Sequence, residues 1–186
     1  GPALIEIGLP GALDVLQGIV VTEHVPTRAG ETNLNQGWTP CDISMHGHYP
    51  NHNLFESNVV QEIDMADYWG PCGPGNTVFR CVVQSEGIDV LDQSHRQNIA
   101  ANVVPTSNFG INVEAGVTGT LLHGNTINGS VQWDAGITDR TFPASYYLTQ
   151  RPAFLGTGPW PLFGPDVIGQ ATLSAQVRFE SGNYIP

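Results

Sequence analysis

The amino-acid sequence describes an all-β solenoid, a chain coiled so that each short strand stacks on the one before. Three observations say so. One pattern returns four times: Asn53-Leu-Phe-Glu-Ser-Asn58-Val-Val, Asn76-Thr-Val-Phe-Arg-Cys81-Val-Val, Gln97-Asn-Ile-Ala-Ala-Asn102-Val-Val and Thr120-Leu-Leu-His-Gly-Asn125-Thr-Ile. From Asn58 through Cys81 and Asn102 to Asn125 its spacing is 23, 21 and 23 residues, and self-similarity at such a period marks a repeat architecture. Within each unit apolar residues alternate, with Phe55, Val78, Ile99 and Leu122 in one column and Val60, Val83, Val104 and Ile127 in another. Short alternating runs rich in Val and Ile are strands with one row turned inward. Finally, the Asn58, Cys81, Asn102, Asn125 column falls where the coil must bend. Stacked Asn side chains hydrogen-bond along the axis of such a pile, and rungs repeat at about 4.8 Å, the spacing of paired strands.

A second motif accompanies the first: Ile43-Ser-Met45, Ile63-Asp-Met65, Ile88-Asp-Val90, Ile111-Asn-Val113 and Val131-Gln-Trp133. Ladder and triplets together resemble the right-handed parallel β-helix of the pectate-lyase-like superfamily, over residues 41–133. The stretch Pro143-Ala-Ser-Tyr-Tyr-Leu148, Arg151-Pro-Ala-Phe154 and Trp160-Pro-Leu-Phe-Gly-Pro-Asp166 is similar to the C-terminal tail of bacterial secreted β-helix proteins. The resemblance implies a parallel β-helix of about five to six rungs, an irregular cap rich in Pro and aromatic residues, and a place outside the cell or on its surface. It implies little about activity, because one fold hosts many functions.

At 186 residues the chain reads as one domain (1–186), with an opening rung and long loop (1–40), regular rungs (41–133) and C-terminal strands and cap (134–186). In order, Leu4–Ile7 and Ile19–Val21 read as opening strands, with a turn of helix between them. Residues 25–40 carry Pro26, Gly30, Asn33, Gly37 and Pro40 and read as a long loop. Residues 139–149 read as a last pair of strand-like pieces. The segment 151–166 holds too many prolines for a central strand, so it lies across the final rung or along the flank. No capping helix is apparent at the N-terminus, so the chain reads as a segment of a longer coil, with self-association through rung ends as one consequence.

Composition excludes several partners. Charged residues make up 12% of the chain, the net charge is −11, and all six basic residues are Arg. The basic footprint of a nucleic-acid binder is missing. No apolar run is long enough to insert in a membrane. Of the three cysteines, Cys81 stands in the ladder column, where a small buried thiol replaces Asn. Cys41 precedes one strand triplet and Cys72 lies in the loop after the next, so the two meet across adjacent rungs and form a disulfide if that loop folds back.

For chemistry, the candidates lie on the outward positions of the triplets. With Ile43, Met45 and their equivalents inward, Ser44, Asp64, Asp89, Asn112 and Gln132 face out, followed by His46, Ala66, Leu91, Glu114 and Asp134. Asp64 and Asp89 fall on adjacent rungs, as do Glu114 and Asp134, and like charges opposed there are destabilising. A bound cation relieves them, and calcium, which favours carboxylate oxygens, is the first candidate, at Asp64 and Asp89; splaying into water is the plainer alternative. His46 ends this face. Tyr68 and Trp69 form a platform for a sugar ring or else cover the coil's flank. Arg80 and Arg96 are the basic residues of the repeat, and Arg is a poor base. No Asp-Asp dipeptide occurs, and Asp92, Ser94 and His95, neighbours in sequence, do not make a triad. The chain is therefore expected to be a non-catalytic module, structural or in contact with a polysaccharide; the alternative is a polysaccharide lyase or glycoside hydrolase.

Overall fold

A computed structural model describes residues 5–6, 15–17, 42–45, 49–65, 71–105, 110–155, 157–168, 173, 177 and 181. The strands are β1 (Ile5–Glu6), β2 (Val15–Gln17), β3 (Ile43–Ser44), β4 (Leu54–Glu56), β5 (Val59–Met65), β6 (Thr77–Phe79) and β7 (Val82–Val90). They continue as β8 (Asn98–Ala100), β9 (Val103–Val104), β10 (Ile111–Val113), β11 (Leu121–His123), β12 (Asn125–Ile127) and β13 (Ser130–Gln132). Two sheets run along the axis. One orders β1-β3-β5-β7-β9-β12-β13, with β10 also on β7, and the other orders β11-β8-β6-β4-β2. All pairs are parallel except β12 with β13. The chain is thus a parallel β-solenoid.

Its inward columns are those the alternation predicts. Phe55, Val78 and Ile99 stack in register, as do Ile63, Ile88 and Ile111. Phe55, Val60, Ile63, Val83, Ile88 and Ile99 are fully buried in one cluster. Each such side chain contributes about 1.5–3 kcal/mol when withdrawn from water.

Four expectations are corrected. Among the described residues the coil makes about 3 turns, somewhat fewer than the five to six rungs expected. Val131-Gln-Trp133 does not stack on Ile111-Asn-Val113; β13 instead folds back antiparallel on β12. The cause is Asn128-Gly129, both at positive φ (47° and 82°), the pair a two-residue hairpin turn demands. Residues 139–149 hold no strand. At the other end, β2 lies at Val15–Gln17, inside the stretch expected to hold a helical turn, and pairs with Leu54–Glu56. Residues 19–21 and the loop at 25–40 lie outside the described residues.

The corners explain the period. Ser57, Arg80, Ala101 and Gly124 precede the ladder residues, each left-handed (φ 59°, 52°, 56° and 66°). The ladder then satisfies the backbone at the bend. Asn102 Nδ2 donates to Val78 O (3.0 Å) and Asn125 Oδ1 (3.0 Å), and Asn102 Oδ1 accepts from Cys81 N (2.9 Å). Asn58 Nδ2 donates to Cys81 Sγ (3.7 Å). A second ladder, at the other end of each short strand, went unread in the sequence. His52, Gly75, Arg96 and Gly119 are left-handed (φ 57°, 80°, 58° and 73°) and precede Asn53, Asn76, Gln97 and Thr120. Asn53 Nδ2 donates to Asn76 Oδ1 (2.8 Å), and Asn76 Nδ2 donates to Gln97 Oε1 (3.0 Å). Gln97 Nε2 reaches Gly73 O (2.9 Å) and His95 O (2.9 Å). This ladder stops at Thr120, whose Oγ1 is buried with no partner among the described residues.

The tail follows the flank. Arg80, fully buried at its corner, sends its guanidinium outward into it. Nε donates to Pro143 O (3.0 Å), Nη1 to Phe163 O (2.6 Å), and the Asp166 carboxylate takes both Nη1 and Nη2 at 2.8 Å. Phe79 and Phe142 offer their ring faces to the same cation, at 5.2 Å and 6.0 Å. Gly164 lets the chain pass, since a Cβ there would stand 2.2 Å from Arg80 Nη1. Glu56 Oε2 accepts from Tyr146 N (2.8 Å). Leu162, Phe163 and Leu173 cover the outward column Val59, Val82 and Val103, while Phe142 packs on Leu54, Phe79 and Ala100.

Two outcomes are expected. Asn102→Leu leaves Val78 O and Cys81 N buried without partners, at on the order of 1–3 kcal/mol each. Urea unfolding should show a loss of about 3 kcal/mol, and an unchanged midpoint would place Asn102 at the surface. Arg80→Met should release the tail before the coil, so that limited proteolysis cuts within residues 142–168 while the turns stay intact. The same release follows acid. Arg80 holds the Asp166 carboxyl below its usual range, so the clasp is intact above about pH 3.8 and weakens as pH falls through the lowered folded-state value.

Candidate functional site

The acidic candidates lie where the long strands bend. In β5 two residues, Gln61 and Glu62, stand between inward Val60 and inward Ile63; in β7 four stand between Val83 and Ile88. The register shifts there, setting Glu62 opposite Gly87. Strict alternation would turn Glu62 into the core, but the irregularity leaves it on the outward side of Ile63 yet 5% exposed. Beyond the bend the alternation resumes. Ser44, Asp64, Asp89 and Asn112 form one outward column, in register across β3, β5, β7 and β10.

Glu62, Asp64 and Asp89 each bring a carboxylate oxygen within 4.8 Å of the others. Glu62 Oε2 is buried with no hydrogen-bond partner among the described residues. Burial pushes its carboxyl up to about 8, with Asp64, Glu86, Asp89 and Asp42 adding to the rise by repulsion. Burial also raises Asp89, against the opposing effect of Asn112 Nδ2, which donates to its Oδ1 at 2.6 Å. Asp42 Oδ2 accepts from Gln61 N at the start of the bend. The arrangement offers oxygen ligands to a hard cation, or a proton shared among crowded carboxyls.

The other candidates disperse. Glu114 Oε2 accepts from Asp92 N (2.8 Å) in a turn. Asp134 Oδ1 accepts from Gly136 N (2.7 Å), and Asp134 N donates to His123 Nδ1 (3.2 Å). These two acids are not on adjacent parallel rungs, because the hairpin removes the strand that would have aligned them. His46, Tyr68, Trp69 and Cys41 lie outside the described residues, and with Cys41 the question of its bridge to Cys72. Cys72 is buried, its Sγ 3.1 Å from Met45 O. The Cys81 thiol, pushed by burial up to about 12, is no nucleophile. Ser94 Oγ accepts from Cys72 N (3.0 Å) and His95 Nδ1 from Thr118 N (3.1 Å), so both serve the turns. Glu62 was missed because it precedes the triplet motif; its signal was an acid two residues before Asp64, at a break in alternation.

Among known proteins, no family model, no curated protein and no solved structure matches the chain. The site therefore stands on its own geometry.

That geometry makes stability depend on pH with a definite sign. The folded state raises Glu62 from 4.5 to about 8. Below about pH 4.5 both states hold the proton and no penalty exists. As pH rises towards about 8 the unfolded carboxyl ionises first, so the folded state loses stability, by on the order of a few kcal/mol. In chelator, the urea midpoint should fall between about pH 5 and about pH 8.5, and Glu62→Gln should flatten that slope. A slope unchanged in the variant would place its source elsewhere.

Proposed function

We propose that the chain is a non-catalytic solenoid module of an extracellular or cell-surface protein of the pectate-lyase-like kind, contacting a glycan through its acidic face. The observation that supports this is the division of the outer surface. The tail covers the outward side of the short strands and the beginnings of the long ones. Beyond the bend, Asp64 and Asp89 remain partly open, and Asn112 is exposed. Their polar groups recur at about 4.8 Å along the axis, a row suited to the hydroxyls of a linear polymer. A chain of net charge −11 favours a neutral polymer, or an acidic one met through a cation.

A second reading, a polysaccharide-active enzyme, draws on Glu62. A carboxyl that keeps its proton at neutral pH beside two carboxylates is the pairing that acid–base cleavage of glycosides uses. A panel of neutral and acidic polysaccharides separates the two, with retention followed by affinity electrophoresis and turnover by reducing ends and unsaturated uronates. Retention without product is expected, weakened about tenfold, or by about 1.4 kcal/mol, in Asp64→Asn with Asp89→Asn. Product that disappears in Glu62→Gln would establish the enzyme. Neither retention nor product would remove both readings.

A further inference from the structure

The geometry points to a cation staple between consecutive turns of the solenoid: Glu62 and Asp64 on β5 and Asp89 on β7 hold one hard divalent ion, calcium foremost. This site stands independently of any glycan. The three residues supply oxygen from two rungs, and an all-oxygen donor set selects calcium, magnesium or manganese over softer metals. Calcium bonds oxygen at about 2.3–2.6 Å, so two ligands on opposite sides of one ion are up to about 5 Å apart. The oxygens here lie within 4.8 Å of one another, a span calcium fills without drawing the strands together. Magnesium, which demands near-ideal octahedral geometry and sheds its water reluctantly, suits such a site less well.

An acidic cluster alone would not carry this. The deciding group is Glu62, which is 5% exposed and whose Oε2 has no hydrogen-bond partner among the described residues. A buried carboxylate oxygen without a donor is costly, and no positive charge relieves it among the described residues. The charges acting most on Glu62, in order Asp64, Glu86, Asp89 and Asp42, are all acids. Arg80, on the neighbouring stretch, is committed to Asp166 and the tail. Opposite Glu62 stands Gly87, which brings no side chain to the cluster. Asn112 holds Asp89 from the far side at 2.6 Å, as an outer partner orients a metal ligand. An ion here ties Glu62 and Asp64 to Asp89 across the register shift, where the ladder between β5 and β7 is interrupted.

The test reads stability in the absence of polysaccharide, so it fails or succeeds separately from glycan binding. The full chain is stripped with chelator and melted with increasing calcium chloride, and with magnesium chloride in parallel. A saturable rise in melting temperature is expected, roughly 5–10 °C once calcium is a hundredfold above its Kd, with magnesium weaker. Glu62→Gln, nearly isosteric, should melt in chelator near pH 7 at least as high as the parent, because the amide removes the cost of keeping a buried carboxyl protonated in the folded state. It should need at least about tenfold more calcium for the same rise. Asp64→Asn with Asp89→Asn should lose the response, while Asp92→Asn, in an exposed turn, should keep it. No saturable shift up to about 10 mM calcium, ten times the weakest extracellular calcium modules, overturns the staple. So does a calcium response unchanged in Glu62→Gln.

Discussion

The solenoid depends on its corners, where a left-handed residue is followed at once by a side chain that hydrogen-bonds to the rung above. Backbone in the left-handed region costs a non-glycine residue on the order of 1–3 kcal/mol, and Ser57, Arg80 and Ala101 all occupy it. Such a turn persists only where its surroundings hold it. The Asn58, Cys81, Asn102, Asn125 ladder and the Asn53, Asn76, Gln97 ladder do so by giving the backbone amides and carbonyls at each bend a partner. Between them the short strand is held at both ends, so its register cannot slip. A one-residue slip would turn Phe55, Val78 and Ile99 to solvent.

From the corners follows the attachment of the tail. At the corner before the ladder, the other turns carry Ser57, Ala101 and Gly124, all small. Arg80 is the exception, and its left-handed backbone projects the guanidinium away from the coil, where the tail collects it. One side chain thereby bonds to Pro143, Phe163 and Asp166, which draws the aromatic and proline-rich segment over apolar positions that would otherwise face water. Gly124 serves the same packing from two turns further on, because a Cβ there would meet Phe142 Cζ at 2.5 Å. The tail shelters one part of the outer surface and leaves the acidic column beyond the bend uncovered among the described residues.

The acidic column is a consequence of the bend itself. Parallel strands in register place like residues on like, so a polar position that recurs as Asp64 and Asp89 becomes a charge opposite a charge. The register shift adds Glu62 to them and buries it, concentrating negative charge in a place with little water to screen it. Its raised proton affinity and its lack of a donor among the described residues have the same physical origin. Relief comes either from a proton or from a cation, and the two differ in how they respond to pH and to calcium.

The repeat made much of this legible in the sequence. Alternation identifies Phe55, Val60, Ile63, Val83, Ile88 and Ile99 as inward, because a strand has a period of two and a buried row must be apolar. Spacing places Asn102 over Asn125, and Asp64 beside Asp89, because in a stacked coil equal phase means adjacency. Other features were written there but need a different rule: Asn128-Gly129 specifies the hairpin that ends the stacking, and Asn53, Asn76 and Gln97 hold one phase as a second ladder. What only the tertiary structure decided lies where the period breaks. The unequal lengths from Val60 to Ile63 and from Val83 to Ile88 set where Glu62 falls, and no periodic pattern predicts a side chain's direction across a register shift. The union of Arg80 with Asp166, 86 residues away, is likewise invisible to periodicity, since it depends on where an aperiodic tail comes to rest against a periodic coil.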